Sequence, residues 1–156
     1  FRLIEQDAFS VSIETTCNLH AIAGKEEALR WGEFRSGGVT IAGTRYMPPE
    51  ADSLVSVFDK MILDIKNIPD IYDQSIFLFL TMARSQFFYD VNKRMGRFMM
   101  NGLLLSNGFP AINLPAKRQL EFNELMTAFY ESNKAENMNS FLRSCLDQRL
   151  IDIMRE

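Results

Sequence analysis

Residues 86–97 read QFFYDVNKRMGR, and this stretch decides how the rest of the chain is interpreted. It joins a very apolar segment to one that opens with basic side chains. The first turn of a helix has unpaired N–H groups and the positive end of the helix dipole, so cations are disfavoured there unless an anion binds between them. Lys93, Arg94 and Arg97 at such a helix start therefore predict a phosphate site.

Three other side chains of the same stretch fit a phosphate loop. Asp90 is a candidate magnesium ligand, since Mg²⁺ bridges phosphate oxygens and takes only one or two carboxylates from protein. Asn92 is able to pair with phosphate or with the loop backbone, and Phe88 is expected to anchor the loop by burying its ring. The alternative is a solvated face on which Asp90 pairs with an arginine of the stretch and the aromatic residues are ordinary core.

Hydrophobic periodicity around this stretch predicts an all-α bundle with one short β-hairpin. Apolar side chains recur at three- and four-residue steps, whereas β-branched and aromatic residues around Gly43, closed by Pro48 and Pro49, indicate a hairpin over 39–49. Helices are predicted over about 9–23, from 51 to a break at 67–69, over 70–86 and 94–106, from 115 through 129, and from 138 through 153, with a further turn over 25–31.

Length and charge limit the classes of protein. The 156 residues, 47% of them hydrophobic, are enough for one domain with its own core. Seventeen basic against twenty acidic residues give a net charge of -3, which offers no general electrostatic case for binding DNA or RNA. Any nucleotide contact must therefore be local.

Cysteine usage and hydropathy favour an intracellular domain. Cys17 and Cys145 lie far apart and lack metal-type spacing, so reduced thiols are expected rather than a disulfide or zinc site. The apolar stretches are interrupted or shorter than the ~18 residues of a membrane span, which excludes a membrane partner. No leader pattern follows residue 1, so a cytoplasmic location is expected.

The stretch 86–97 resembles the motif of the Fic/Doc family, H-P-F-x-[D/E]-G-N-[G/K]-R-x-x-R. Residues 32–49 look like the segment and flap hairpin that precede that motif, and residues 101–109 look like the helix that follows it. The resemblance extends over about residues 20–145 and implies a single Fic-type helical domain over 1–156, with the flap at about 39–49. Six specific positions of the motif agree, namely Phe88, Asp90, Asn92, Lys93, Arg94 and Arg97.

The resemblance implies roles for these residues. In the family, the acidic residue binds magnesium together with the nucleotide phosphates, and the Asn and Arg residues cradle those phosphates. Most characterised members transfer AMP from ATP to a hydroxyl of a protein, so ATP, Mg²⁺ and a target protein are the expected partners. The family's flap pairs with an extended target segment, a role that would fall here to Thr40, Ile41, Ala42 and Gly43.

The sequence departs from the family motif at three positions. Gln86 stands in place of the catalytic histidine, Phe87 in place of proline, and Val91 in place of the first glycine. The histidine takes the proton from the attacking hydroxyl, and a neutral amide is no base near pH 7. Val91 removes a residue that adopts positive φ freely, which predicts a differently shaped loop.

Three functions remain open at this point. The first is slow AMP transfer in which Gln86 orients the hydroxyl and the substrate, water or another residue takes the proton. The second is a binding module that keeps a nucleotide as ligand, or none, and recruits a partner through the flap. The third is transfer of a phosphate, as in the Doc branch of the family, whose Asn-Lys-Arg sequence the residues around Lys93 resemble. The target, the donor and the oligomeric state, including a homo-oligomer, are left open.

Two features outside the motif are candidate components of a site. His20 is the sole histidine, and we interpret it as structural because Leu19 and His20 resemble a pair on the family's core helix. Ser10 and Glu14 match the outline of the family's inhibitory S-x-x-x-E helix, whose Glu pairs with the second Arg of the motif. The alternative for Glu14 is an ordinary solvated residue.

Overall fold

The computed structural model describes residues 2–23, 30–147, 149 and 152–153, and the fold is stated for these residues. They contain helices and no strand, as the predicted all-α class requires. No helix among them combines the length and the apolar character that crossing a membrane demands. The α-helices are α1 (Arg2–Glu5), α2 (Ile13–Ala23), α3 (Leu54–Lys66), α4 (Ile71–Ser85), α5 (Asn92–Ser106), α6 (Gln119–Ser132) and α7 (Glu136–Ser144).

Helices α4 and α5 form the centre of the bundle. Gly96 of α5 lies directly against Phe79 of α4, where a Cβ at position 96 would be 2.9 Å from the Phe79 ring and 3.1 Å from its carbonyl oxygen. The close approach requires glycine at 96 despite its poor helix propensity. Both helices contribute to two buried clusters, one around Phe79, Met100, Phe122 and Phe141, the other around Phe58, Met82, Phe88 and Met99.

Local sequence signals explain where α4 begins. Pro69 ends the preceding segment, and the Asp70 carboxylate accepts a hydrogen bond from the Asp73 amide at 2.9 Å, as an N-cap residue does. This hydrogen bond, with smaller contributions from Arg143, lowers the pKa of Asp70. Arg143 pairs with both carboxylates, at 2.8 and 2.7 Å, and so ties α7 to the start of α4.

The short β-hairpin predicted over 39–49 is wrong. The segment is extended apart from a turn at Ala42 and Gly43, and it forms no strand ladder. Gly43 has the positive φ of 84° that the turn needs. After the turn the chain is attached to α6, because Glu131 accepts from the Thr44 hydroxyl at 2.6 Å and from the Arg45 amide at 2.8 Å. We call residues 39–49 the flap segment.

Several helix boundaries differ from the predicted ones. Helix α5 begins at Asn92, two residues earlier than predicted, so Asn92 and Lys93 are helical. Helix α2 begins at Ile13, because the Ser12 hydroxyl accepts from the Thr15 amide at 3.2 Å and caps the helix there. Helix α7 ends at Ser144. Most of the turn predicted over 25–31, and much of the chain after 147, lies outside the described residues.

His20 belongs to the core of the fold, beneath the motif loop. Its ring is fully buried and stacks on the Phe88 ring, with centroids 3.8 Å apart and planes 6° from parallel. Nδ1 accepts a hydrogen bond from the Gly32 amide at 3.0 Å. Burial lowers the pKa of His20, and the nearby backbone and carboxylate of Asp90 oppose this in part. The position is closer to Asp90 than the sequence indicated, but the ring packs below the loop.

This burial predicts a pH-dependent stability. Because His20 binds a proton less readily when folded than when unfolded, its contribution is complete above the unfolded pKa of about 6.5 and is lost as the pH falls below it. Urea unfolding at pH 8, 7, 6 and 5 should show a steeper loss of unfolding free energy for the wild type than for His20→Gln, by up to ~1.4 kcal/mol per pH unit. Equal slopes for the two proteins would contradict the assignment.

Candidate functional site

A cavity of about 550 Å³ opens beside residues 86–97. It collects side chains from the motif loop, from the start of α5, from the flap segment and from α6. Nearly all of the residues that the sequence singled out for phosphate and target binding meet here, and only Gly43 is not part of the lining. The predicted residues that line the cavity are Thr40, Ile41, Ala42, Gln86, Asp90, Asn92, Lys93, Arg94 and Arg97.

Asn92 fixes the shape of the motif loop. Its side-chain oxygen accepts from the Phe88 amide at 2.9 Å, and its Nδ2 donates to the Phe88 carbonyl at 2.7 Å and to Gln86 Oε1 at 3.0 Å. Both amide hydrogens are therefore used inside the loop, and the residue is only 6% exposed. Asn92 stabilises the motif loop and has no donor left for a phosphate in this arrangement.

Gln86 is part of the same network. It ends α4 with a left-handed backbone, at φ 52°. Its Nε2 donates to the Ala83 carbonyl at 2.6 Å while its Oε1 accepts from Asn92, so both ends of the amide are occupied. The side chain thus links the end of α4 to the start of α5. In this position Gln86 helps to fix the shape of the loop, and it does not act as a base for a hydroxyl.

Val91 adopts a left-handed backbone conformation, which glycine enters more readily than valine. Its φ of 57° and ψ of 26° lie in the left-handed region, which a β-branched residue rarely enters. The loop therefore reaches a glycine-type conformation at position 91 in spite of the valine. Because such a conformation costs a non-glycine residue on the order of 1–3 kcal/mol, the surrounding packing and the Asn92 hydrogen bonds must hold it.

The cations at the start of α5 surround the cavity wall. Lys93 is exposed, whereas Arg94 and Arg97 are half-buried. Burial lowers the pKa of Arg97, and the charge of Arg94 lowers it further. Within the described residues Arg97 has no hydrogen bond and no ion pair, so a half-buried positive charge is left without a counter-ion. This is the electrostatic environment that an anionic ligand would stabilise.

Glu14 does not supply that counter-ion in this structure. It lies exposed in the first turn of α2 and is not part of the cavity lining. Ser10 and Ser12 share a hydrogen bond of 2.9 Å near the same helix start. The predicted inhibitory pairing between Glu14 and Arg97 is not formed among the described residues.

Asp90 is the sole carboxylate among the described residues that line the cavity. No group of three or more His, Cys, Asp or Glu side chains suited to a metal ion occurs within the described part of the chain. The residues thus offer no complete protein cage. A single exposed carboxylate beside three cations fits an Mg²⁺ ion that takes its other ligands from phosphates and water.

Arg35 joins the flap segment to the motif loop, and sequence reasoning missed it as a site residue. The guanidinium is 3% exposed, and its backbone amide donates to the Phe87 carbonyl at 2.9 Å. Its place in the segment that resembles the one before the family's flap was the available signal. Its side chain donates to four carbonyls, those of Gly37, Pro49, Ser85 and Gln86.

One face of α6 completes the cavity and was also missed. Asn123 and Thr127 are exposed, whereas Met126 and Tyr130 are buried. Burial raises the pKa of Tyr130 to about 12, so its phenol stays protonated. The three- and four-residue spacing of these residues places them on one helix face, a signal that the sequence did contain.

The left-handed backbone at position 91 predicts an inverted Ala–Gly preference. In an ordinary helix Gly is less stable than Ala by about 1 kcal/mol, whereas at positive φ the Cβ is penalised instead. We expect Val91→Gly to exceed Val91→Ala in unfolding free energy by about 1 kcal/mol. The matched control is Ala128→Gly on the exposed face of α6, which should lose about 1 kcal/mol. A Val91→Gly protein less stable than Val91→Ala would refute the conformation.

Comparison with known proteins assigns the family. No curated protein matches the chain. Among solved structures, Fic-1 (residues 134–508) from C. elegans has a TM-score of 0.76 at 16% identity, over 99% of this chain and 48% of that one. A Fic-domain signaling protein from Bacteroides thetaiotaomicron has a TM-score of 0.67 at 17% identity. The match covers 99% of this chain and 66% of that one. A Fic family protein from Desulfovibrio desulfuricans G20 has a TM-score of 0.58 at 20% identity. The match covers 92% of this chain and 41% of that one.

These structures show the shared fold, and this chain spans between 41% and 66% of their lengths. The family itself is identified from sequence: the model of the Fic/DOC family matches residues 10–104, more than half of the chain and all of the motif loop. The chain therefore belongs to the Fic/DOC family.

Proposed function

We propose that this domain binds a nucleotide by its phosphates in the cavity beside residues 86–97. The observation that carries the proposal is Arg97, whose half-buried charge lacks a counter-ion among the described residues. Arg94 lowers the pKa of Arg97 through like-charge repulsion, and an anion between the two would turn that repulsion into attraction. Arg94 and Arg97 lie in the first two turns of α5, and a helix start favours an anion.

A magnesium ion would accompany the nucleotide. Asp90 would hold it from the protein side, and its chemistry would be to neutralise charge on the phosphate oxygens. The mixed polar and apolar face of α6, with Asn123 and Met126 at its centre, is suited to the less charged part of a nucleotide. ATP is accordingly the donor that we propose.

The reaction proposed for the bound nucleotide is transfer of AMP to a protein hydroxyl. Residues 40–43 of the flap segment form no backbone hydrogen bond within the described residues, so they offer an extended edge to a target segment. The hydroxyl oxygen would form a bond to the α-phosphorus while the bond from that phosphorus to the pyrophosphate oxygen breaks. The hydroxyl proton would pass to solvent, because neither Gln86 nor Tyr130 is able to accept it.

One observation favours a second candidate, a nucleotide-dependent binding module. Both ends of the Gln86 amide are occupied by Ala83 and Asn92, so Gln86 supplies loop shape without acid–base chemistry. In that case the nucleotide and the flap segment would serve recognition alone. If the same site is instead a transferase, its transfer rate should be ~10²–10⁴-fold lower than that of an enzyme with the catalytic histidine.

Nucleotide binding should depend on Arg97. We expect calorimetric titration with ATP and Mg²⁺ to give a dissociation constant about 10- to 100-fold weaker for Arg97→Gln than for the wild type, because a charge-assisted contact to phosphate is lost. Lys66→Gln, an equal change of charge at the end of α3, is the matched control and should bind as the wild type does. ATP affinity unchanged by Arg97→Gln would remove the basis of the proposal.

Transfer should depend on restoring a base. With ATP labelled on the α or the γ phosphate, Gln86→His should transfer α label to protein about 10²- to 10⁴-fold faster than the wild type. Gln86→Ala loses the same hydrogen bonds without gaining a base and should not increase transfer. Label from the γ position would indicate phosphate transfer of the Doc type. If Gln86→His binds nucleotide but transfers no label, the binding module would be the better account of the function.

A further inference from the structure

A second cavity is lined by a later part of the flap segment than the cavity described above. It is a groove of about 370 Å³ between α3, α4 and residues 46–49. Tyr46 and Pro49 form its flap wall, whereas Thr40 and Ala42 line the phosphate cavity. A polypeptide that follows the flap segment would therefore pass from one cavity to the other.

Arg84 gives this groove a positive charge. It is half-buried in the last turn of α4, donates from Nε to the Tyr130 carbonyl at 3.2 Å, and places its guanidinium 3.7 Å above the centre of the Tyr46 ring. No carboxylate pairs with it within the described residues. Because the single Nε–H serves the carbonyl, the terminal Nη groups keep their donors for another acceptor.

The other charges at the groove cancel each other. Lys60 and Asp64, on the exposed face of α3, form an ion pair at 2.7 Å. The net local charge is therefore the one positive charge of Arg84. This stands out in a chain whose total charge is -3, and it selects for a negatively charged group.

Apolar surface lies beside that charge. Met61 is 1% exposed, and Val57 and Phe77 are half-buried where they reach the groove. An acidic amino-acid side chain has the matching construction, since its methylene groups would contact this surface while its carboxylate meets the guanidinium. Planar bidentate pairing with carboxylate is the geometry that arginine favours.

We propose that the groove is a specificity subsite that binds a Glu or Asp side chain of the target polypeptide docked along the flap segment. This rests on the target-docking part of the proposed function. Thr40 and Tyr46 are six residues apart, a separation of at most ~20 Å in extended chain. The acidic side chain therefore lies within about six residues of the hydroxyl that reaches the phosphate cavity.

The test uses fluorescein-labelled synthetic peptides, each with one Thr and one Glu at spacings of two to eight residues on either side, and the same peptides with Gln. Fluorescence anisotropy is measured with the whole chain in the presence of ATP and Mg²⁺. At spacings up to about six we expect the Glu peptides to bind about fivefold tighter than the Gln peptides. Arg84→Gln should abolish this preference, and Arg84→Lys should keep part of it.

Charge reversal separates recognition from loss of folding. Arg84→Glu should prefer Lys peptides over Glu peptides at the same spacings, which a merely damaged protein would not do. Lys66→Gln, which removes an equal charge at the end of α3 outside the groove lining, should retain the preference for Glu. Equal binding of Glu and Gln peptides to the wild type, or no peptide binding at all, overturns the proposal.

The outcome for nucleotide is independent of this result. Calorimetric titration of ATP into the wild type and Arg84→Gln should give equal dissociation constants, since Arg84 is not part of the phosphate cavity. Charge-dependent peptide binding without ATP binding would leave the subsite standing and defeat the nucleotide proposal. ATP binding without the Glu preference would do the reverse.

Discussion

The buried guanidinium of Arg35 is the contact on which the arrangement of both cavities depends. A charge at 3% exposure needs full hydrogen bonding, and here backbone carbonyls provide it instead of a carboxylate. Two of those carbonyls, from Ser85 and Gln86, belong to the end of α4, where acceptors lack helical partners and the dipole is negative. The other two, from Gly37 and Pro49, lie at either end of the flap segment.

This single side chain therefore fixes an irregular segment that has no ladder of its own. The flap segment is attached by Arg35 near its two ends and by Glu131 after its turn, with Thr44 and Arg45 as the bonded residues. Between these attachments, residues 40–43 keep their backbone groups unpaired within the described residues. An edge that is held at both sides and open in the middle is suited to accept a strand from another chain.

The helical bundle and the set of residues that meet in the first cavity were predictable because both depend on local signals. Apolar spacing gave the helices, and the basic start of α5 together with the motif resemblance gave the cavity residues. The hairpin prediction failed because β-branched residues around Gly43 are compatible with any extended segment, and Glu131, more than eighty residues away, decides where Thr44 and Arg45 bond. Tertiary partners of that kind have no signature in the local pattern.

Asn92 illustrates a second limit of sequence reasoning. Its residue type fits both phosphate and loop backbone, and only the folded structure shows that its two amide hydrogens are used by Phe88 and Gln86. Arg35 and the residues of the α6 face can be read from the sequence, but their contribution to the cavities depends on which elements pack together. Pattern alone gives the type of a side chain, whereas the fold determines its partners.

The network of Gln86, Asn92 and Val91 has an evolutionary consequence. Loop geometry here is maintained by amide hydrogen bonds and a held left-handed residue, so it does not depend on an imidazole at position 86. A lineage with this scaffold is therefore able to change the chemistry of the side chain at position 86 while Asn92 keeps its two hydrogen bonds to the Phe88 backbone. Loop shape and acid–base chemistry are therefore separable traits in such a lineage.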